Sequence, residues 1–233
     1  MDRTSVIRAS IAVGAATGAY GISFGAVSVA AGLSVAQTCA LSLLMFTGGS
    51  QFALAGVLGA GGGTAAAVAA AVGLGSRNAF YGLRISPILG LRWPRKALAA
   101  QLVIDESAAM ASAQPTPELG RTGFWATGLA VFVLWNLGTL AGAAGATAVP
   151  DPRVLGLDAA APAAFLALLA PQVRGRRAWV VTLLAAVIAL ASAPFVPAGV
   201  PILLAAGAAG LGLLGPPARL GLPRRGAPDR SDP

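Results

Sequence analysis

Long runs without a charged residue alternate with short basic segments along this chain. Residues 11–33, 35–58, 123–149 and 178–215 contain no Asp, Glu, Lys or Arg, and each is long enough to cross a hydrocarbon core, which takes about 20 apolar residues. Ala and Leu dominate these runs, and nothing shows the ten-residue alternation of a membrane barrel, so the elements are read as helices. About seven spans are expected, at 11–33, 35–58, 64–83, 123–148, 155–171, 178–197 and 199–215. The last charge-free run is long enough to cross twice, and Pro194, Pro197, Gly199 and Pro201 place a turn in its middle. An eighth apolar run, 97–113, holds Asp105 and Glu106. It is expected to be re-entrant or to lie as an amphipathic helix on the cytoplasmic side.

Composition agrees with this pattern: 56% of residues are hydrophobic, 10% are charged and mean hydropathy is +0.77. The fold class expected is therefore all-α, a polytopic integral membrane protein. A net charge of +8 would point to nucleic acid in a soluble protein. Here the basic residues sit in short segments between apolar runs, where they report topology, and no nucleic-acid partner is expected. Three clusters matter: Arg84, Arg92, Arg95 and Lys96; Arg174, Arg176 and Arg177; and Arg219, Arg224, Arg225 and Arg230. With all three in the cytoplasm and 97–113 not crossing, the N-terminus falls outside. The first apolar run is too long for a signal-peptide core and is expected to be retained. Residues 1–217 read as one transmembrane domain, and 218–233 as a disordered basic cytoplasmic tail. With a lone Cys39 and no histidine, an intrachain disulfide and Cys- or His-based metal or catalytic sites are excluded. Neither enzymatic activity nor a cofactor is expected.

Three motifs interrupt the apolar runs. Gly14, Gly18, Gly21, Gly25, Ser28 and Gly32 form a small-residue stripe, for which close helix packing is the preferred reading over a pore lining. In "FTGGSQF", Gly48 and Gly49 lower helix propensity by about 2 kcal/mol relative to alanine. A helix opened there exposes N–H and C=O groups that are tolerated at membrane depth only when buried in protein or lining a wet cavity. That makes Gly48, Gly49, Ser50 and Gln51 candidates for holding the two ends of a zwitterion. The alternative is a kink whose Ser50 and Gln51 bond a neighbouring helix. Arg77 and Asn78 in "GSRNAFYGLR", further substrate-binding candidates, fall near an expected helix end, where Arg77 would snorkel to the interface, the reading preferred here, or bind a carboxylate bidentately. Asp105 is a proton-coupling candidate if its helix is embedded. On a surface helix, the reading preferred here, it would be solvated or paired with Arg95 or Lys96. Gly21 and Gly25 recur as Gly138 and Gly142, each pair followed by Gly-Leu-Ser or Gly-Leu-Asp and then by Gln51 or Gln172. This suggests repeat halves at about 11–83 and 123–197, in opposite orientations, as in many secondary transporters.

The blocks "YGISFGAVSVAAGLS", "FTGGSQF", "RNAFYGL", "IDES", "LGTLAG" and "GLD…PAAFLALLAPQ" together resemble the AzlC-type (azaleucine resistance) branched-chain amino acid permease family. The resemblance runs from about residue 20 to 177. It implies that residues 1–217 are a transporter subunit of the plasma (inner) membrane that exports branched-chain amino acids such as valine or leucine, with a small multi-span AzlD-type partner. It adds Tyr20, at the head of the first block, to the substrate-binding candidates. The family's third-span pattern resembles Asn-x-Arg-His-x-x-Tyr; Arg77 and Tyr81 keep it, while Gly75 and Asn78 stand at the asparagine and histidine positions. The competing reading is an accessory or assembly subunit whose partner forms the substrate path.

Overall fold

The computed structural model describes residues 2–148, 175–197 and 200–213, with isolated positions 166, 170 and 173. Helices account for about four-fifths of this, with no strand among the described residues. In chain order they are α1 (Arg3–Ala30), α2 (Val35–Leu44), α3 (Gly49–Gly59), α4 (Thr64–Gly75), α5 (Arg77–Leu89), α6 (Arg95–Gln101), α7 (Asp105–Ser112), α8 (Pro117–Thr147), α9 (Arg176–Ser192) and α10 (Val200–Leu213). Among the described residues, α1 and α8 are long and apolar enough to cross a membrane unbroken. At 1.5 Å per residue they measure roughly 42 and 46 Å. Their outward faces carry Ile11, Ile22, Leu129, Val133, Leu137 and Leu140, all exposed, while Ser10, Ser28, Thr127 and Thr139 are buried. An exterior more apolar than the interior suits a lipid solvent.

Helices α1 and α8 form the spine, and glycine makes their contact possible. A Cβ at Gly14 would come within 2.7 Å of Ala130, one at Gly18 within 2.8 Å of Leu134, and one at Gly21 within 2.6 Å of the Trp135 carbonyl. Gly25 lies against the Thr139 carbonyl, and from the other side Gly138 and Gly142 lie against the carbonyls of Gly18 and Ile22. The Thr127 hydroxyl donates to Ser10 at 2.8 Å within the seam. The expected packing role of the stripe thus holds for Gly14 to Gly25. Gly32, at φ +93°, belongs instead to the turn after α1.

The partner numbers in this seam rise together, 10 with 127, 14 with 130, 18 with 134 and 25 with 139, so α1 and α8 run parallel. That corrects the expected inversion: the two glycine pairs face each other across one interface and do not mark copies of opposite orientation. The reason lies in the segments between them. After α1 reaches the distal end, α2 starts back and stops at Leu44, the chain turns at residues 45–48, and α3 returns until Gly59 meets Ala31. Run 35–58 is therefore a re-entrant hairpin and not a span. Its arms, of 10 and 11 residues, are about 15 Å long, half a hydrocarbon core.

Next, α4 and α5 together run from the distal toward the proximal end, interrupted at Ser76. Gly75 meets Ser50 at the start of α3, and the Ile88 carbonyl at the far end of α5 accepts from Arg121 Nε at 3.0 Å. This helix pair extends beyond the expected 64–83, to Leu89. A second re-entrant hairpin follows from the proximal end. Helix α6 descends, residues 102–104 turn, and α7 rises antiparallel to α8, with Leu102 against Gly128, Met110 against Gly123 and Ala111 against Gly120. The re-entrant option for 97–113 is the one realised, and the surface-helix preference is corrected. Ala99, Leu102, Val103, Ile104, Ala108 and Ala111 are buried in the main core with Phe24, Phe52 and Trp135.

The proximal end gathers Val6, Ile88, Arg121 and Gly123, so the N-terminus shares it with the 90–96 segment. The orientation that placed Arg3 and Arg8 opposite the first basic cluster is corrected accordingly. The error came from counting 35–58 as a crossing. Helices α9 and α10 pair with each other, and α10 also packs on α4; the turn expected between them follows Ser192. The span at 155–171, Gln172, Arg174 and the tail 218–233 lie outside the described residues.

Candidate functional site

Three interruptions of helix meet at mid-height. They are the turn 45–48 between α2 and α3, Ser76 between α4 and α5, and the turn 102–104 between α6 and α7. Each comes from local sequence. At the first, Gly48 takes φ +60° and ψ −91°, a region that L side chains avoid. The Gln51 carboxamide then ties the turn, its Oε1 accepting from Gly48 N–H at 3.2 Å and its Nε2 donating to the Leu41 carbonyl at 3.1 Å. At the third, Ser107 does the equivalent work with one hydroxyl, accepting from Ile104 N–H at 3.1 Å and donating to the Leu102 carbonyl at 2.6 Å. Both hairpin tips thus have their freed backbone groups partly satisfied by a side chain one turn into the following helix, as burial at this depth requires.

Between the tips lies a cavity of about 340 Å³, at the small end of the range for ligand pockets. Thr17 and Tyr20 from the middle of α1, and Val131 and Trp135 from the middle of α8, form one wall. The first tip contributes Phe46, Thr47, Gly48 and Gly49, the second Ile104, Asp105 and Glu106, and the middle crossing Leu74, Arg77 and Tyr81. An aromatic group underlies it: Phe24 stacks with Trp135 at 6.0 Å and meets Phe52 edge-on at 5.6 Å. Phe46 is fixed edge-on against Phe132 at 5.0 Å, which holds the first tip to α8.

Arg77 links all three interruptions. Its Nη2 donates to Asp105 Oδ2 at 2.7 Å and to the Thr47 carbonyl at 3.3 Å, while Nη1 reaches the Leu74 carbonyl at 3.4 Å. The two charged side chains keep 28% and 38% of their surface accessible, so the pair opens onto the cavity and is not sealed in the core. Snorkelling, the reading preferred for Arg77, is corrected: what looked like a helix end is a mid-height interruption, and the guanidinium turns inward. Asp105 is likewise paired with Arg77, and not with Arg95 or Lys96.

Helices α3, α5 and α7 all begin at the cavity, and α2, α4 and α6 all end there. Helix starts leave N–H groups without intrahelical partners and helix ends leave carbonyls. The site therefore presents both polarities of backbone dipole alongside a cation and an anion. Of the residues singled out in the sequence, Tyr20, Gly48, Gly49, Arg77 and Asp105 line the cavity. Ser50, Gln51 and Asn78 are not among the lining residues. Gln51 is fully buried with both polar atoms engaged in its own hairpin, and Ser50 is buried against Gly75. The sequence reading passed over Thr47 and Trp135, and it noted Tyr81 and Glu106 without placing them among the site candidates. Tyr81 could have been included, since it falls four residues after Arg77 and hence on the same helical face. Trp135 also had a signal, as a polar-tipped ring in the middle of an apolar run. Among the described residues, no group of three His, Cys, Asp or Glu side chains is placed to hold a metal ion.

A family model described as AzlC protein matches residues 12–149, a stretch that contains every residue of the cavity. Neither the comparison with curated proteins nor that with solved structures gave a match.

Proposed function

Since the chain belongs to the AzlC family, we propose that it is a secondary transporter subunit, not an enzyme, which exports branched-chain amino acids of the valine and leucine type across the plasma membrane. The observation that carries this reading is the Arg77–Asp105 pair at 2.7 Å, set among three helix interruptions beside a small mid-height cavity. A zwitterion needs an anion acceptor and a cation acceptor a few ångströms apart, and the cavity wall has both. Its remaining surface is largely aromatic and aliphatic, which favours a short apolar side chain over a polar one.

Two re-entrant hairpins entering from opposite ends supply a plan for alternating access, with either tip moving while the α1–α8 spine stays fixed. The proximal end carries Arg3, Arg8, Arg92, Arg95, Lys96 and Arg121, whereas the distal turns 31–34 and 60–63 are uncharged. The positive-inside tendency therefore sets the proximal end, with the N-terminus, in the cytoplasm. A small AzlD-type subunit is the partner proposed, and lipid covers the remaining apolar exterior. Asp105 is the group proposed to couple transport to protons.

Counterflow of labelled valine in vesicles holding both subunits tests the reading. Exchange of valine or leucine that depends on this chain is the expected result. Exchange that persists with the partner alone would make this chain an accessory subunit.

A further inference from the structure

Among the described residues, some donors in the cavity wall have no partner. The indole Nε1 of Trp135 is buried without a hydrogen-bond partner in a residue only 3% exposed, and Arg77 Nε is unpartnered as well. An indole N–H and a guanidinium can only donate, so both lack an acceptor. Both residues border the same cavity, which also contains the Asp105 carboxylate.

We infer that a zwitterionic amino acid is recognised by exchange with the internal ion pair: its carboxylate takes the Arg77 guanidinium and Trp135 Nε1–H, its ammonium takes the Asp105 carboxylate, and the Arg77–Asp105 contact opens. This rests on the amino-acid transport reading and specifies how that site chooses its substrate. In this structure Arg77 ties the second tip, through Asp105, to the first, through the Thr47 carbonyl. With the solute inserted, those tips are joined through the solute. Loaded and empty states thus differ in what holds the hairpins together, the differential interaction that a ligand-driven change of conformation requires. A ligand carrying one charge would break the pair and leave either Arg77 or Asp105 without a counterpart. It should bind worse than a zwitterion of the same shape.

The test is calorimetric titration of the full chain with its partner subunit in nanodiscs, using valine, isobutylamine (valine without its carboxylate) and 3-methylbutanoate (valine without its amino group). The expected result is that each analogue binds at least about tenfold more weakly than valine, the ratio for losing a charge-assisted bond. Trp135→Phe keeps the ring and removes the donor. It should weaken valine about tenfold while leaving isobutylamine unchanged, a pattern that loss of packing alone would not produce. Equal affinity for valine and either analogue would overturn the exchange, as would wild-type valine affinity in Trp135→Phe. Should that variant fail to fold, the analogue comparison on the wild type decides alone. Absence of any valine or leucine binding by the wild type would instead overturn the transport reading on which this inference rests.

Discussion

Gln101 Nε2 donates to the carbonyl of Leu43 at 2.8 Å, so the last residue of α6 is joined to the last turn of α2. The two re-entrant hairpins, which enter from opposite ends, are thereby bonded directly near their tips. Together with Arg77 this makes the mid-height region a set of cross-links between segments that share no backbone hydrogen bonding. Such a region can be rigid in one arrangement and still separate when a few contacts are exchanged.

Replacing Gln101 with methionine keeps the length of the side chain and removes the donor. The Leu43 carbonyl belongs to an exposed residue, so the loss is expected to be about 1 kcal/mol, the net value of one hydrogen bond. Thermal unfolding in detergent should fall by a few degrees. Transport should change more than stability, because the contact joins the two hairpins proposed to move; an unchanged rate would remove this bond from the transport cycle.

The topology gives a prediction that is independent of chemistry. Cysteines introduced at Ser5 and at Trp93 should react with an impermeant maleimide from the same face of the membrane, and one at Gly62 from the opposite face. A Ser5 site accessible with Gly62, and not with Trp93, would mean that 35–58 crosses the membrane after all.

Much of this fold was legible beforehand, and the parts that were not share a cause. Apolar length and charge placement gave helices, the α9–α10 turn and the packing face of α1, because each follows from local periodicity. The glycine doublet also marked the first tip, although the opening lies at 45–48 and Gly49 already starts α3. Run length alone does not separate a hairpin of two 15 Å arms from one 30 Å helix, since both need the same number of apolar residues. From that ambiguity at 35–58 came the wrong parity, the placing of the N-terminus opposite the first basic cluster and the expected inversion. The inward turn of Arg77 was hidden for a related reason: its counter-ion is 28 residues away, at the tip of the second hairpin.

The α1–α8 seam predicts opposite outcomes for two neighbouring glycines. A Cβ at Gly142 would press on the Ile22 carbonyl, whereas nothing lies within 4 Å of one at Gly145. Gly142→Ala should therefore destabilise by about 1–3 kcal/mol, as overpacking does. Gly145→Ala should be neutral or stabilise by up to about 1 kcal/mol through helix propensity. Paired unfolding curves in one detergent check this, and equal effects would argue against the close parallel packing.

Gly48 isolates backbone conformation from space, since a Cβ there meets nothing within 4 Å while φ is +60° and ψ −91°. Gly48→Ala should cost on the order of 1–3 kcal/mol, the range for a residue held in an unfavourable backbone region. The first tip would reshape, with loss of most valine exchange but retention of membrane insertion. Normal exchange by this variant would show that the tip geometry is not needed for transport.

The ion pair offers the sharpest separation of stability from function. Arg77→Gln leaves the Asp105 carboxylate without its cation, and Asp105→Asn leaves the guanidinium without its anion. Each single variant should be less stable than the wild type, by about 1–2 kcal/mol given the loss of a charge-assisted bond and the partial solvent access of both groups. The double variant Arg77→Gln/Asp105→Asn removes both charges, so its loss should be smaller than the sum of the two, with a coupling of about 1 kcal/mol. Transport should follow a different rule. If both charges contact the solute, exchange of valine stays low in the double variant even as its unfolding temperature recovers toward the wild type. Measuring unfolding and counterflow on the same four proteins distinguishes the cases: recovery of both together would make the pair a structural tie, whereas recovery of stability alone identifies groups that the solute itself engages.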